Sequence, residues 1–315
     1  MLNIYQSDSE GRLQVQKEMV KNSWISLIAP TENEMQTVSN QLAIPMEFIH
    51  ASLDSNERSR VQKKEDHLLI IANVPLATND ETSMPYKTVP IGIIQTPNAM
   101  VIICAIDHPI LRIFSEQQTK GRLTKKPNAF TLQLLHEISS NYINCLNDID
   151  QKVFAAEEEL KSTVHNEQVF NLLNYNKSLI AFTKSLKANY KVIEKLTKDK
   201  NFKIDEEDEK LVLDIFIETK QAIDTSRIHN INLSGMMDAY SAAIENNLSI
   251  VVQQLTIYVI IIAIPMGAAG IYGMNTPLPF QDEPHAFTVI MSICLVISLL
   301  FGWVLYRKRI FQVRK

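Results

Sequence analysis

Between Pro127 and Pro265 the chain has no proline, and between Gly121 and Gly267 its only glycine is Gly235. Proline and glycine are the strongest helix punctuators, so their scarcity argues against a loop-rich stretch and predicts long helices. The three cysteines, Cys104, Cys145 and Cys294, are scattered and show no metal-ligand spacing. That argues against a disulfide framework and predicts a reducing, cytosolic setting for the soluble part. Before Pro127, glycine occurs only at Gly11, Gly92 and Gly121. A nucleotide-cradling loop is therefore not expected, and neither a nucleophile elbow nor a paired-histidine motif is present. The expectation is a protein that is not an enzyme and carries no cofactor. A net charge of −4 gives no reason to expect nucleic acid as a partner. The segment from Met1 to Asp8 has no basic region leading into an apolar core, so no signal peptide is expected. The last thing missing is charge: Leu255 to Ile271 contains none.

With its flanks, that uncharged run reaches the roughly 20 residues a helix needs to cross a bilayer. A short polar loop follows, then a second apolar run from about Phe287 to Tyr306. The two spans, about 249–272 and 287–306, form a predicted transmembrane hairpin. Arg307, Lys308, Arg309, Arg314 and Lys315 come after the second span, whereas the loop 276–286 carries only Asp282, Glu283 and His285. The positive-inside rule then predicts a multi-pass protein of the cell membrane with both termini in the cytosol.

The fold class read from these patterns is an α+β cytosolic domain over 1–126, a long-helix stalk over 127–248, and the hairpin with its basic tail over 249–315. Strands are predicted at Ser23–Ala29, His67–Val74, Lys87–Gln95 and Met100–Ala105, where Val, Ile and Leu crowd together. Thr31 with Glu34 three residues later reads as a capping box, ahead of Met35, Val38 and Leu42 at helical spacing. Further short helices are expected at Pro45–Leu53 and Pro109–Gln117. The long helices should cover about Ala129–Lys161, Glu167–Leu196 and Asp205–Tyr272. The third has about 65 residues, a rod on the order of 100 Å at 1.5 Å per residue, which needs neighbours along its length.

On that rod Ser249, Val252, Leu255, Val259, Ala263, Met266, Gly270 and Gly273 follow in steps of three and four and share one stripe. Asp238 continues it backwards. Spacing alone leaves two readings open: the wall of a pore with an acidic mouth and an apolar throat, or a helix-packing seam.

The stripe ends in Ala269-Gly270-Ile271-Tyr272-Gly273-Met274-Asn275, ahead of a short loop and a second span. This combination resembles the CorA family of magnesium and cobalt transporters. Asp214, the run Ala222-Ile223-Asp224-Thr225 and the segment Ser234 to Tyr240 extend the resemblance along the rod. It implies a funnel-shaped homopentamer in the lipid bilayer with the first span lining the pore. Gly273, Met274 and Asn275 would form the outer selectivity filter and Asp238 an acidic ring at the cytosolic mouth. Ser249, Val252, Leu255, Val259, Ala263, Met266 and Gly270 would line the pore, with Leu255 at its constriction.

The resemblance also implies gating by cytosolic Mg²⁺ held between subunits. Asp214 matches one acidic ligand of that site. Ala51 stands where the family has the other, and Asp54, about one helical turn later, is the candidate substitute. The expected activity is passive Mg²⁺ influx, with Co²⁺ and Ni²⁺ as further cargo. Two alternatives are a zinc exporter of the same superfamily and a non-conducting, membrane-anchored sensor. Zinc-exporting relatives usually vary the middle residue of the Gly-x-Asn triplet, so Met274 favours magnesium.

Overall fold

The computed structural model describes residues 1–8, 13–78, 84–116, 126–162, 166–275, 279 and 283–307. Contacts divide the chain into two units, Met1–Met237 and Asp238–Lys315.

The first unit is built on a seven-stranded sheet of order β2-β1-β3-β7-β6-β5-β4. Its strands are β1 (Leu2–Ser7), β2 (Leu13–Gln16), β3 (Ser23–Ile28), β4 (Arg60–Lys64), β5 (His67–Ala77), β6 (Tyr86–Gln95) and β7 (Ala99–Cys104). The β3–β7 pair is parallel and every other neighbouring pair is antiparallel. β3, β5, β6 and β7 lie where the apolar runs predict them. β1, β2 and β4 were not anticipated. Their Gln, Ser, Lys and Arg content hides them; β1 still sends Ile4 and Leu2 into the core, while β2 and β4 are held chiefly by backbone pairing.

Helices cover both faces of the sheet. Helix α1 (Glu32–Leu42) and helix α2 (Met46–Leu53) lie on one face. There Ile25, Leu27, Leu69, Ile71, Ile94, Val101 and Ile103 meet Met35, Val38, Phe48 and Ile49 in one buried cluster. Alternate residues of the same strands face the other way and are also buried, among them Trp24, Ile70, Ile93 and Ile102. Two-sided burial explains why these strands read as continuous apolar runs. The α1 capping box is complete: Thr31 Oγ1 accepts from the Glu34 N–H, and Glu34 Oε2 accepts from the Thr31 N–H at 2.9 Å. Pro45 stands at the N-cap of α2. Helix α2 sits close to the sheet at Gly92, where a Cβ would overlap Oγ and Cβ of Ser52.

Helix α3 (Pro109–Glu116) follows β7, and residue 117, expected to end it, lies outside the described residues. Helices α4 (Pro127–Ser162) and α5 (Asn166–Lys198) form the second layer. Phe130 of α4 packs on Trp24, and Phe182 of α5 packs on Tyr86 and Tyr142. Asn189 of α5 takes the place of a strand partner. Its Oδ1 accepts from the Asn73 N–H at 3.0 Å, and its Nδ2 donates to the Asn73 carbonyl at 2.8 Å. The Tyr86 hydroxyl bonds Asp148 of α4, and this bond holds the Asp148 carboxyl below its ordinary range.

After the break at Asp199–Asp205, a 3-10 turn (Glu206–Asp208) leads into α6 (Glu209–Tyr272), an unbroken helix of 64 residues. Phe202 is buried and anchors that break. Helix α7 (Ala286–Arg307) follows.

Candidate functional site

The stripe expected to carry function lies in the second unit, on the outer part of α6. Beside the covered Pro265, the covered positions of α6 from residue 250 onward are Ile250, Gln254, Ile257, Ile261, Ile264 and Ala268. They also follow in steps of three and four, so they form a stripe of their own. At about 100° per residue this stripe points roughly opposite to the one through Val252, Leu255, Val259, Ala263, Met266 and Gly270.

Helix α7 packs on the covered side. Its covered positions include Cys294, Ser298 and Gly302, three small residues four apart. Small side chains in this register let two membrane helices approach closely. Ser298 Oγ reaches the Ile261 carbonyl at 3.3 Å, and a Cβ on Gly302 would lie 3.5 Å from Ile261 Cδ1. The sequence reading missed this seam, although the i, i+4, i+8 spacing of small residues was its available signal.

The opposite stripe is left open. Leu255 is 61% exposed and Met266 66%, against 6% for Ile257 on the covered side. Within one chain, then, the Leu255 stripe is not the seam with α7. Ser249 and Asp238 are exposed as well.

The last turn of α6 delivers the Gly273-Met274-Asn275 segment. The Gly273 N–H donates to the Ala269 carbonyl at 2.9 Å, and the Met274 N–H donates to the Ile271 carbonyl at 3.2 Å. The chain therefore tightens as it leaves the helix, and all three residues are exposed. A Cβ on Gly273 would sit 3.2 Å from the Ala269 oxygen, tighter than ordinary contact, so a bare residue suits this exit. A helix C-terminus carries partial negative charge, which favours a cation nearby.

The candidate regulatory residues belong to the first unit. Asp214 lies in the second turn of α6 and is partly covered. Asp54 is exposed at the C-cap of α2, where its Oδ1 accepts from the Asn56 N–H at 2.9 Å. Ala51 packs against the core cluster. Among the described residues no group of three or more His, Cys, Asp and Glu side chains gathers to hold a metal within one chain. Any site using Asp214 and Asp54 needs ligands from elsewhere.

Between α4, α5 and the inner part of α6 the seam is laced by polar groups that the sequence reading did not single out. Ser139 meets Thr219 at 2.8 Å and Thr183 meets Ser226 at 2.8 Å. His136 Nε2 lies 3.3 Å from Glu218, and His229 Nδ1 lies 3.1 Å from Asp150. Asn176 donates to Ser234 at 3.0 Å.

Two described helices are long and apolar enough to cross a membrane. The family model for CorA-like Mg²⁺ transporter proteins matches residues 21–308. The chain belongs to the CorA family. Over 301 residues it is 31% identical to the cobalt/magnesium transport protein CorA of Methanocaldococcus jannaschii, a match covering 90% of each chain. It is 23% identical over 292 residues to the cobalt/magnesium transport protein CorA of Thermotoga maritima, covering 91% of this chain and 82% of that one. The complete structure of the CorA magnesium transporter from M. jannaschii superposes with a TM-score of 0.82 at 25% identity, covering 98% of both chains. CorA membership bears out the expected architecture: an α+β domain, long helices and two C-terminal apolar helices. It also places the chain among transporter proteins rather than enzymes.

Proposed function

We propose that the chain assembles as a homopentamer whose α6 helices surround a pore for hydrated divalent cations. Mg²⁺ is the main cargo, Co²⁺ and Ni²⁺ pass with it, and the flow is passive and inward. The observation that carries this reading is the orientation of the stripe. Helix α7 occupies one side of α6, and the opposite side, from Ser249 to Gly270, stays open and ends at the Gly273-Met274-Asn275 exit. In a ring of copies this side would face the axis, while its exposed flanks, such as Val251 and Ile262, would meet the neighbouring copies.

The chemistry of the exit suits the cargo. Mg²⁺ gives up its water reluctantly. Neutral oxygens from Asn275 and the Gly273 carbonyl would hold the hydrated ion through its waters, weakly enough to release it. Asp238 would gather cations at the cytosolic mouth. Leu255, with Val252 and Val259, would close the throat by excluding water. The basic residues after α7 and the acidic loop before it favour cytosolic termini. A negative interior would then supply about 4.6 kcal/mol per 100 mV for a divalent ion, twice the single-charge value.

The test is flux into liposomes holding the purified chain, comparing Mg²⁺, Co²⁺ and Zn²⁺ with and without a pH gradient. Mg²⁺ and Co²⁺ entry independent of the gradient is expected. Zn²⁺ movement that needs the gradient would point to the exporter, and no flux of any ion to the sensor.

Control by cytosolic Mg²⁺ is part of the same reading, with Asp214 and Asp54 meeting across a subunit boundary. Replacing Asp214 with Ala should raise by about tenfold the Mg²⁺ concentration needed to protect the soluble unit from limited proteolysis, the factor that about 1.4 kcal/mol of lost binding gives. Protection at the wild-type concentration would remove Asp214 from the site.

A further inference from the structure

Proline at position 265 leaves a specific defect in α6. An unbroken helix bonds the N–H of residue 265 to the carbonyl of residue 261. Pro265 has no N–H, so the Ile261 carbonyl loses its partner inside the helix. In a span with no water to repair it, that oxygen needs another donor. Ser298 of α7 supplies one, with its Oγ 3.3 Å from the Ile261 oxygen. The bond is selective. Ser292 and Thr256 send their hydroxyls back to carbonyls four residues earlier in their own helices, Thr288 and Val252. Ser298 crosses to the neighbouring helix instead, and it is 7% exposed there.

The defect lies at a sensitive place. Ala263 and Met266 of the open stripe flank it, and Gly267 and Gly270 follow, with open space around both. Proline is the usual cause of a helix bend, and glycine weakens the helix beyond it. The direction of the Gly273-Met274-Asn275 exit therefore depends on this turn.

We propose that Ser298 is a positioning residue for permeation. Its hydroxyl replaces the donor that Pro265 removes, and so sets the angle at which the end of α6 presents the exit segment. This role rests on the pore reading above.

The test uses the full chain in four forms: wild type, Ser298→Ala, Pro265→Ala and the double variant. Each is melted in detergent and assayed for Mg²⁺ flux in liposomes. Ser298→Ala alone should shift the resting flux about threefold, equivalent to the roughly 0.6 kcal/mol typical of a hydrogen bond between membrane helices. In the Pro265→Ala background the backbone donor returns, and Ser298→Ala should then change neither flux nor melting. An equal effect of Ser298→Ala in both backgrounds overturns the proposal. Coupling in the melts without coupling in flux keeps the bond and overturns the positioning role. Ser298→Thr, which retains the hydroxyl, should behave as wild type. If Pro265→Ala fails to assemble, a Ser298→Thr variant that matches Ser298→Ala overturns the proposal by itself. If wild type conducts no ion, the pore reading falls and the positioning role with it, while the melts still decide the bond.

Discussion

Replacing Asn275 with Ala should cut Mg²⁺ flux at least tenfold while leaving assembly and melting unchanged. Asn275 is exposed just beyond the last turn of α6, so its side chain supports nothing in the fold. Its loss should therefore appear in transport alone. A hydrogen bond to neutral groups contributes about 0.5–1.5 kcal/mol net. In the proposed ring, several copies would act on the same hydrated ion, so their contributions would combine, and about 1.4 kcal/mol already gives a factor of ten. The measurement is entry of Mg²⁺ into liposomes loaded with a Mg²⁺-sensitive dye, beside size exclusion of the same protein. Wild-type flux in the variant would take the filter assignment away from Asn275.

Replacing Leu255 with Gly should do the opposite and raise resting leak about tenfold under high internal Mg²⁺. An apolar ring closes a pore by making a water column unfavourable across it, and removing the isobutyl groups widens and wets that ring. Glycine also costs about 1 kcal/mol relative to Ala inside a helix. Leu255→Ala removes most of the side chain without that cost, and it should leak nearly as much. Leak in the glycine variant alone would trace the effect to a softened helix. No leak in either would move the constriction away from Leu255.

Much of this architecture was legible in the residues. The capping box was readable because Thr31 and Glu34 act on backbone groups three residues apart, with no help from distant parts of the chain. The strands β3, β5, β6 and β7 could be read because burial on both faces demands unbroken Val, Ile and Leu. The edge strands β2 and β4 could not. Leu13–Gln16 buries no residue and Arg60–Lys64 buries only Val61, so neither carries a continuous apolar run. Strand β1 has polar neighbours on most positions and buries only Ile4 and Ser7. Their places are set by backbone pairing with the neighbouring strand, β2 on β1 and β4 on β5, which polar residues serve as well as apolar ones.

The candidate site shows the same division. Periodicity drew the Leu255 stripe correctly as one face, yet it could not tell pore wall from packing seam. Ruling out a seam with α7 needs that second helix, and Cys294, Ser298 and Gly302 place it on the other side. The hydroxyl lacing of Ser139, Thr183, Thr219 and Ser226 escaped for a related reason. Isolated serines and threonines on a helix look like surface until their partners are known.

The contact between Gly92 and Ser52 has a bearing on regulation. Helix α2 ends at Asp54, the residue nominated as a sensor ligand, and it rests on β6 where the strand offers only a hydrogen atom. Asp54 is thus the tip of a short lever, and the strand beneath sets the lever's height. A methyl group added there would lift the tip without touching any ligand. In the proposed regulatory site, the Mg²⁺ threshold would then be open to adjustment from beneath, by a residue that lies outside that site.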